Sequence, residues 1–300
     1  MKHLLSIEAL SAEEIETLLS LAVALKKDRK ASPQVLSGQQ WALIFTKSST
    51  RTRVSFEVGV RELGGQVMFL SGADIQLGRG EPIKDTARVL GRLIHGAIIR
   101  TFAQQDVEEF AHYSGIPTIN ALTDDEHPCQ ILADLLTIHE RFSTWKGRRV
   151  AFLGDGDCNV ARSWIWASAR LGFELVIGAP KPFQPAADFM ARVPGKTVTV
   201  TDDPKTAVEG IDAIYTDVWV SMGKEAESAE RIEILRPWQI NLDLMRYAKQ
   251  DAIVMHCLPA YRGKEITEEV LEQHAGVIFD QAENRLHAQK AVLVECNRRS

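Results

Sequence analysis

Cysteine is scarce: the 300 residues hold four, Cys129, Cys158, Cys257 and Cys296, and no two of them stand in a C-x-x-C pair. Such isolated thiols predict a reduced state and argue against both a disulfide frame and a zinc site, and no metal is expected. An unbroken apolar run of about 20 residues is also missing, so no membrane partner is expected. The opening stretch MKHLLSIEALSAEEIETLL has one lysine, then short apolar pieces interrupted by Ser6, Glu8, Glu13 and Glu14. So broken a stretch forms no signal-peptide region, its acids disagree with an organellar transit peptide, and the expected compartment is the cytoplasm. Positive charge is not in excess either. With 35 Lys and Arg against 40 Asp and Glu the formal net charge is −5, which provides no basic footprint for nucleic acid.

What is present describes an ordinary globular chain, with 45% hydrophobic and 25% charged residues. Its length exceeds what one hydrophobic core usually serves, and two domains of roughly 150 residues are expected. Apolar runs alternate with helical patterns throughout. In the first half WALIF (41 to 45), QVMFL (66 to 70), GAIIR (96 to 100) and PTIN (117 to 120) read as strands, with helices centred on 51 to 63, 84 to 94 and 105 to 113. The second half offers RVAFLG (149 to 154), FELVIG (173 to 178), KTVTV (196 to 200), DAIYTD (212 to 217), AIVMH (252 to 256) and GVIFD (276 to 280). Strands rich in Val and Ile and separated by helices predict an α/β protein with parallel sheets covered on both faces. A charged stretch, ERFSTWKGRR (140 to 149), marks the seam. A final amphipathic segment, ENRLHAQKAVLVEC, is expected to return to the first domain. SGADIQLGRGEPI (71 to 83) contains three glycines and a proline and reads as a long loop of the kind that is either functional or disordered.

Chemistry concentrates at strand ends. SSTRTR (48 to 53) follows WALIF and opens a helix, whose unpaired N–H groups and macrodipole favour an anion. Ser49, Thr50 and Thr52 add hydroxyls, and Arg51 and Arg53 add guanidinium forks that match phosphate oxygens. Arg100 closes GAIIR. In HPCQ, Pro128 suits a first helical turn and the i, i+3 spacing puts His127 and Gln130 on one face, able to hydrogen-bond a carbonyl or a carbamoyl group. Arg285 lies in AENRLH, read as a helix start after the strand GVIFD.

The second half repeats this placement at the carboxyl ends of strands, where open α/β sheets hold ligands. DVWVSMG (217 to 223) follows one strand and HCLPA (256 to 260) another. Asp217 could bind a cationic amine, and Cys257 could serve as nucleophile, acid or packing residue. LGDGDCNVARSW (153 to 164) follows a strand as a dinucleotide fingerprint would, yet it lacks the third glycine, and no acid ends the next strand to hold a ribose. No nicotinamide cofactor is therefore expected. Asn159 could hold a substrate carboxylate or amide, or act as a plain N-cap.

In this order SSTRTR, HPCQ, DVWVSMG and HCLPA resemble the transcarbamoylase family over essentially the whole chain; STRTR and HPxQ are general to it, while SMG with HCLP resembles its ornithine branch. The resemblance implies two α/β domains, each a parallel sheet flanked by helices, with an interdomain cleft. One domain, 1 to 140 with the C-terminal helix 284 to 300 packed back on it, would bind carbamoyl phosphate, and the other, 148 to 283, would bind L-ornithine. The carbamoyl phosphate ligands would be Ser49, Thr50, Arg51, Thr52, Arg100, His127, Gln130 and Arg285, joined by Cys257 and Leu258 near the reacting groups. Asn159, Asp217, Ser221 and Met222 would hold ornithine, and Arg100, His127, Asp217 and Cys257 would carry the catalysis. Gln76 would reach a neighbouring subunit's site in a homotrimer or a multiple of trimers. The implied reaction transfers a carbamoyl group to the ornithine δ-amine and uses no cofactor.

Overall fold

A computed structural model of the chain describes residues 1–72, 80–220 and 228–298. It divides into two compact units, Met1–Leu136 together with Glu283–Ser300, and Thr137–Ala282. Both crossings fall inside helices, one after Leu136 within 128–142, a few residues before the charged stretch at 140 to 149, and one before Glu283 within 275–297.

Unit 1 begins with α1 (Ala12–Lys27), entered through a capping box in which Ser11 and Glu14 satisfy each other's backbone N–H. There follow β1 (Gln40–Phe45), α2 (Thr50–Glu62), β2 (Gln66–Ser71), α3 (Ile83–Leu90), β3 (Gly96–Arg100), α4 (Gln104–Ser114), β4 (Thr118–Leu122) and α5 (Pro128–Phe142). The four strands pair in the order β2-β1-β3-β4, all parallel. Ala42, Ile44, Ala97 and Ile99 meet Ala87, Val107 and Phe110 in the core. Gly96 is required by this packing, since a Cβ there would lie 2.5 Å from the Trp41 ring. The pairing of Phe45 with Arg100 sets the carboxyl ends of β1 and β3 side by side, which brings the loop before α2 next to Arg100. Helix α3 stops at Leu90, short of the expected 94, and its C-cap Gly91 passes so close to Ser114 that a Cβ would sit 2.1 Å from that residue's carbonyl oxygen.

Unit 2 contains β5 (Arg149–Leu153), α6 (Asn159–Leu171), β6 (Glu174–Gly178), α7 (Ala187–Arg192), β7 (Val198–Thr201), α8 (Pro204–Val208), β8 (Ala213–Thr216), α9 (Ser228–Leu235), α10 (Leu242–Met245), β9 (Ile253–His256) and α11 (Glu268–Gln273). The strand order is β7-β6-β5-β8-β9, again parallel, with its switch point at β5 and β8. Leu153 pairs with Thr216 and Thr216 with His256, so the loops after β5, β8 and β9 open side by side.

One expected strand is helical. GVIFD belongs to the start of α12 (Ala275–Asn297). Val277, Ile278 and Gln281 are buried whereas Phe279 is 54% exposed, a spacing of i, i+1, i+4 that suits a helix and not a pleat. A short apolar run fits a buried strand and a buried helical turn equally well, and here the continuing helical pattern decides. Arg285 is accordingly a mid-helix residue. From Glu283 onward α12 belongs to unit 1, where Leu286, Lys290 and Leu293 lie against Gly59 of α2. Among the described residues no helix is long and apolar enough to cross a membrane.

Candidate active site

In unit 1 the helix N-terminus forms as expected. Ser49 is the N-cap of α2, in extended backbone, and its Oγ accepts from the Thr52 N–H at 3.3 Å. Thr52 is fully buried, and its Oγ1 accepts from Ser49 Oγ at 3.0 Å and from Arg285 Nη2 at 2.7 Å. With both acceptor positions filled, the Thr52 hydroxyl proton remains for a ligand. Arg285 thus reaches the first turn of α2 from 233 residues further along the chain. Arg51 is half-buried, and its Nε is a buried donor with no partner among the described residues. Thr50 is exposed. Arg53 leaves the expected cluster: it is exposed, bonds Glu57 at 2.8 Å and lies over the Phe69 ring, the solvated-face role of a helical arginine.

Arg100 and His127 are both buried, and His127 feels Arg285 and Arg100 as nearby charges. Burial, then those two cations, holds the imidazole well below its ordinary range, so His127 is neutral at physiological pH. Pro128 is the first residue of α5, as its missing N–H allows. Gln130, one turn in, donates from Nε2 to Asp134 Oδ1 at 2.8 Å. Cys129 between them is fully buried and its thiol is pushed up to about 12 by that burial, which leaves it a small packing group. Lys47, unremarked in the sequence reading, is buried just before the SSTRTR loop; it pairs with Asp124 and lies over the Phe102 ring, tying that loop to the turn that carries His127.

In unit 2 Asp217 and Cys257 meet. Cys257 Sγ donates to Asp217 Oδ1 at 2.9 Å, and the same oxygen accepts from the Val218 N–H at 2.7 Å. Burial raises the Asp217 carboxyl above the ordinary range, against the opposing effects of His256 and these two bonds. His256 is buried behind them; the Leu258 N–H donates to its Nδ1 at 2.8 Å, which leaves Nε2 to carry the proton toward Glu265 at 3.2 Å. Leu258 has φ 56° and precedes a cis peptide to Pro259. The donor atoms of Asp217, His256 and Cys257 lie within 4.8 Å of one another. They do not suit a cation as arranged, because both His256 nitrogens are engaged and the Cys257 proton is committed to Asp217.

Asn159 is the first residue of α6, and the N-cap is Cys158, with φ −73° and ψ 162°. The capping alternative for Asn159 is thereby removed. A residue that the sequence reading passed over organises these loops. Arg231, on α9, donates from Nε to the Trp219 carbonyl at 2.9 Å, binds Asp155 of the GDGD loop, and stacks over Phe183. Arg231 and Asp155 are both buried. A charged residue eight positions past an apolar loop carries no sequence signal for such a role. Gln76, Ser221 and Met222 lie outside the described residues.

Residues 2–140 match the aspartate/ornithine carbamoyltransferase carbamoyl-P binding domain, and residues 146–296 match the Asp/Orn binding domain of the same family. The chain is 62% identical over 296 residues to an ornithine carbamoyltransferase of Akkermansia muciniphila, covering 98% of this chain and 97% of that protein. It is 48% identical to one of Campylobacter fetus, over 100% and 99% of the two chains. Among solved structures, ornithine carbamoyltransferase from Pyrococcus furiosus superposes with a TM-score of 0.93 at 46% identity, covering 98% and 96%. The anabolic ornithine carbamoyltransferase from Campylobacter jejuni gives 0.93 at 41% identity, covering 100% of both chains.

Proposed function

The chain belongs to the aspartate/ornithine carbamoyltransferase family, and on that premise we infer its reaction: it transfers the carbamoyl group of carbamoyl phosphate to the δ-amine of L-ornithine, giving L-citrulline and phosphate. The observation that carries this reading is the pair of sites at strand ends, one gathering Ser49, Thr52 and Arg285 at a helix N-terminus and the other joining Asp217 to Cys257. An anionic donor and a cationic acceptor are what these two sites would recognise.

Carbamoyl phosphate is assigned to Ser49, Thr50, Arg51, Thr52, Arg100, His127, Gln130 and Arg285. Arg51 and Arg285 would neutralise the departing phosphate. Arg100, the neutral N–H of His127 and the Thr52 hydroxyl would stabilise the charge that grows on the carbamoyl oxygen in the tetrahedral transition state. Ornithine is assigned to Asn159, Asp217, Ser221 and Met222. The amine loses a proton, its nitrogen bonds the carbamoyl carbon, and the C–O bond to phosphate breaks, with phosphate a competent proton acceptor. An alkyl amine of pKa about 10.4 is only about 0.4% neutral at pH 8, worth roughly 3.3 kcal/mol unless the site lowers that pKa. Asp217 would stabilise the ammonium form, so its proposed role is to bind and orient ornithine, while exclusion of water and the positive charge of the arginines assigned to carbamoyl phosphate would favour the neutral amine. Cys257 and Leu258 complete the surroundings of the reacting groups.

A place in arginine biosynthesis is supported by the 41% identity to an anabolic enzyme of known structure. A homotrimer, with Gln76 reaching the neighbouring subunit's site, and a cytoplasmic location belong to the same reading. The test is a ureido-product assay with carbamoyl phosphate against ornithine, putrescine, N-acetylornithine and aspartate. Ornithine should win by orders of magnitude; equal or better turnover of another amine would reassign the acceptor.

A further inference from the structure

Gln130 is 1% exposed and Asp134, one helical turn later on α5, is fully buried. A primary amide has a donor end and an acceptor end, and the end that faces a ligand decides what it recognises. The Nε2 of Gln130 is taken by Asp134 Oδ1 at 2.8 Å, while its Oε1 is buried and has no partner among the described residues. An ionised carboxylate can only accept, so it selects the donor end of the amide and leaves the oxygen for a group that brings its own hydrogen. The sequence alone left open whether Gln130 would meet a carbonyl or a carbamoyl group, and the bond to Asp134 leaves the amide oxygen for an N–H, which only the carbamoyl group brings.

We propose that Asp134 is a positioning residue that fixes the Gln130 amide so that its oxygen accepts from the amino group of carbamoyl phosphate, which makes this pair the specificity determinant for a carbamoyl over an acetyl group. The proposal rests on the assignment of unit 1 to carbamoyl phosphate. Acetyl phosphate has nearly the same shape and the same phosphate, but carries a methyl group where carbamoyl phosphate carries NH₂. Against Oε1 the methyl group leaves a buried acceptor unmade, and a site built to hydrogen-bond an N–H strongly rejects the analogue that lacks it.

The experiment uses the full-length enzyme and three variants, D134N, Q130E and the double Q130E/D134N, with kcat and KM measured for carbamoyl phosphate at saturating ornithine. Inhibition constants for acetyl phosphate and inorganic phosphate are measured alongside. In D134N the new amide can donate to Gln130 and turn the Gln130 NH₂ toward the ligand, so kcat/KM for carbamoyl phosphate should fall by about 30-fold. The inhibition constant of inorganic phosphate and the KM for ornithine should stay within about 3-fold, since neither ligand touches the amide. In the double variant the amide introduced by D134N donates to the carboxylate introduced by Q130E, which again offers the ligand an oxygen acceptor, and kcat/KM should recover to within about 5-fold of the parent. The unmodified enzyme should itself bind acetyl phosphate at least about 10-fold more weakly than carbamoyl phosphate, an arm that needs no variant to fold. Equal affinity for the two phosphates, a D134N variant within about 3-fold of the parent, a parallel loss of phosphate binding, or a double variant no better than the singles would each overturn the proposal. An unmodified enzyme that makes no citrulline would instead overturn the functional reading beneath it.

Discussion

Arg231 offers the sharpest energetic test of how unit 2 holds its acceptor site. Its guanidinium makes a buried ion pair with Asp155, donates to the Trp219 carbonyl at 2.9 Å and stacks over Phe183 with 4.5 Å to the ring centroid. The two side chains of the pair are 8% and 7% exposed. Replacing Arg231 by Met keeps much of the apolar stem but strands the Asp155 carboxylate in a site closed to water. Removing one member of such a pair costs about 3–5 kcal/mol, because the remaining charge has lost both solvent and partner. Taking about 4 kcal/mol, the melting temperature should drop by roughly 10 °C for a domain of this size. The double variant Arg231→Met with Asp155→Asn removes the stranded charge and should regain more than half of that loss. Since Arg231 joins the loop after β5 to the loop after β8, the KM for ornithine should rise by about 10-fold or more in Arg231→Met, with the KM for carbamoyl phosphate unchanged. Urea unfolding followed by fluorescence and initial rates with each substrate varied supply both readouts. A single variant within about 1 kcal/mol of the parent, or a double variant no more stable than the single, would refute the account of this pair as a clamp.

Three other outcomes follow from the titratable groups. Burial holds the Asp217 carboxyl above its ordinary pKa, so its ionised form opposes folding; that opposition is absent below the unfolded pKa and complete above the raised folded one. Asp217→Asn should therefore raise the urea midpoint at pH 8 while lowering kcat/KM for ornithine by about 100-fold, and a variant that loses both stability and activity would contradict this reading. His127 and His287 are buried and both held below their ordinary range, so the unfolded chain takes up protons that the folded chain refuses as pH falls below about 6.5. Measured in the Asp217→Asn background to remove the opposing titration, stability should decline from pH 6.5 toward 5 with a limiting slope of about 1.4 kcal/mol per pH unit for each histidine. A flat profile there would show that the two imidazoles accept protons when folded. The Cys257 thiol donates a hydrogen bond to Asp217, and a thiolate formed there would face a carboxylate, so Cys257→Ser should retain measurable turnover and mass spectrometry of the quenched enzyme should find no carbamoyl thioester. A trapped thioester would make Cys257 a covalent nucleophile.

The strands and the ends at which the sites lie were legible because parallel strands buried on both faces read as continuous Val and Ile runs bounded by turn residues. The exception, GVIFD, fails for the same reason: five apolar-rich residues do not distinguish a strand from the first turns of a buried helix, and only the burial of Val277, Ile278 and Gln281 does. Ser49 and Thr52 were legible as a helix start. Arg53 was over-read, since its position in the motif says nothing about which way a helical side chain turns, and Glu57 one turn later takes it. Arg285 had no local signal, and its place depends on a contact with Thr52 that only the folded chain creates. Lys47, Asp134, Asp155, Arg231 and Glu265 form a silent class. Each is an ionisable residue buried against another side chain beside a candidate site, and burial of such a group is a tertiary fact that spacing and composition do not encode.

That silent class explains how an acidic chain can present an anion site. A net charge of −5 is spread over an exposed surface, where salt screens it beyond about 8 Å. The field at the head of α2 is set instead by groups within bonding distance: Arg285 on Thr52, Arg100 beside His127, and Lys47 holding the preceding loop. Behind them Asp134 accepts from Gln130 Nε2, which would orient the amide from the side away from the proposed ligand. Unit 2 inverts the same device. In the proposed ornithine site Asp217 would be the group offered to the ligand, and the Cys257 thiol and the Val218 N–H both donate to its Oδ1 and hold it in place. On this reading the sign presented to each ligand is set by the few charged groups gathered at the strand ends, and the sum over the chain carries no information about it.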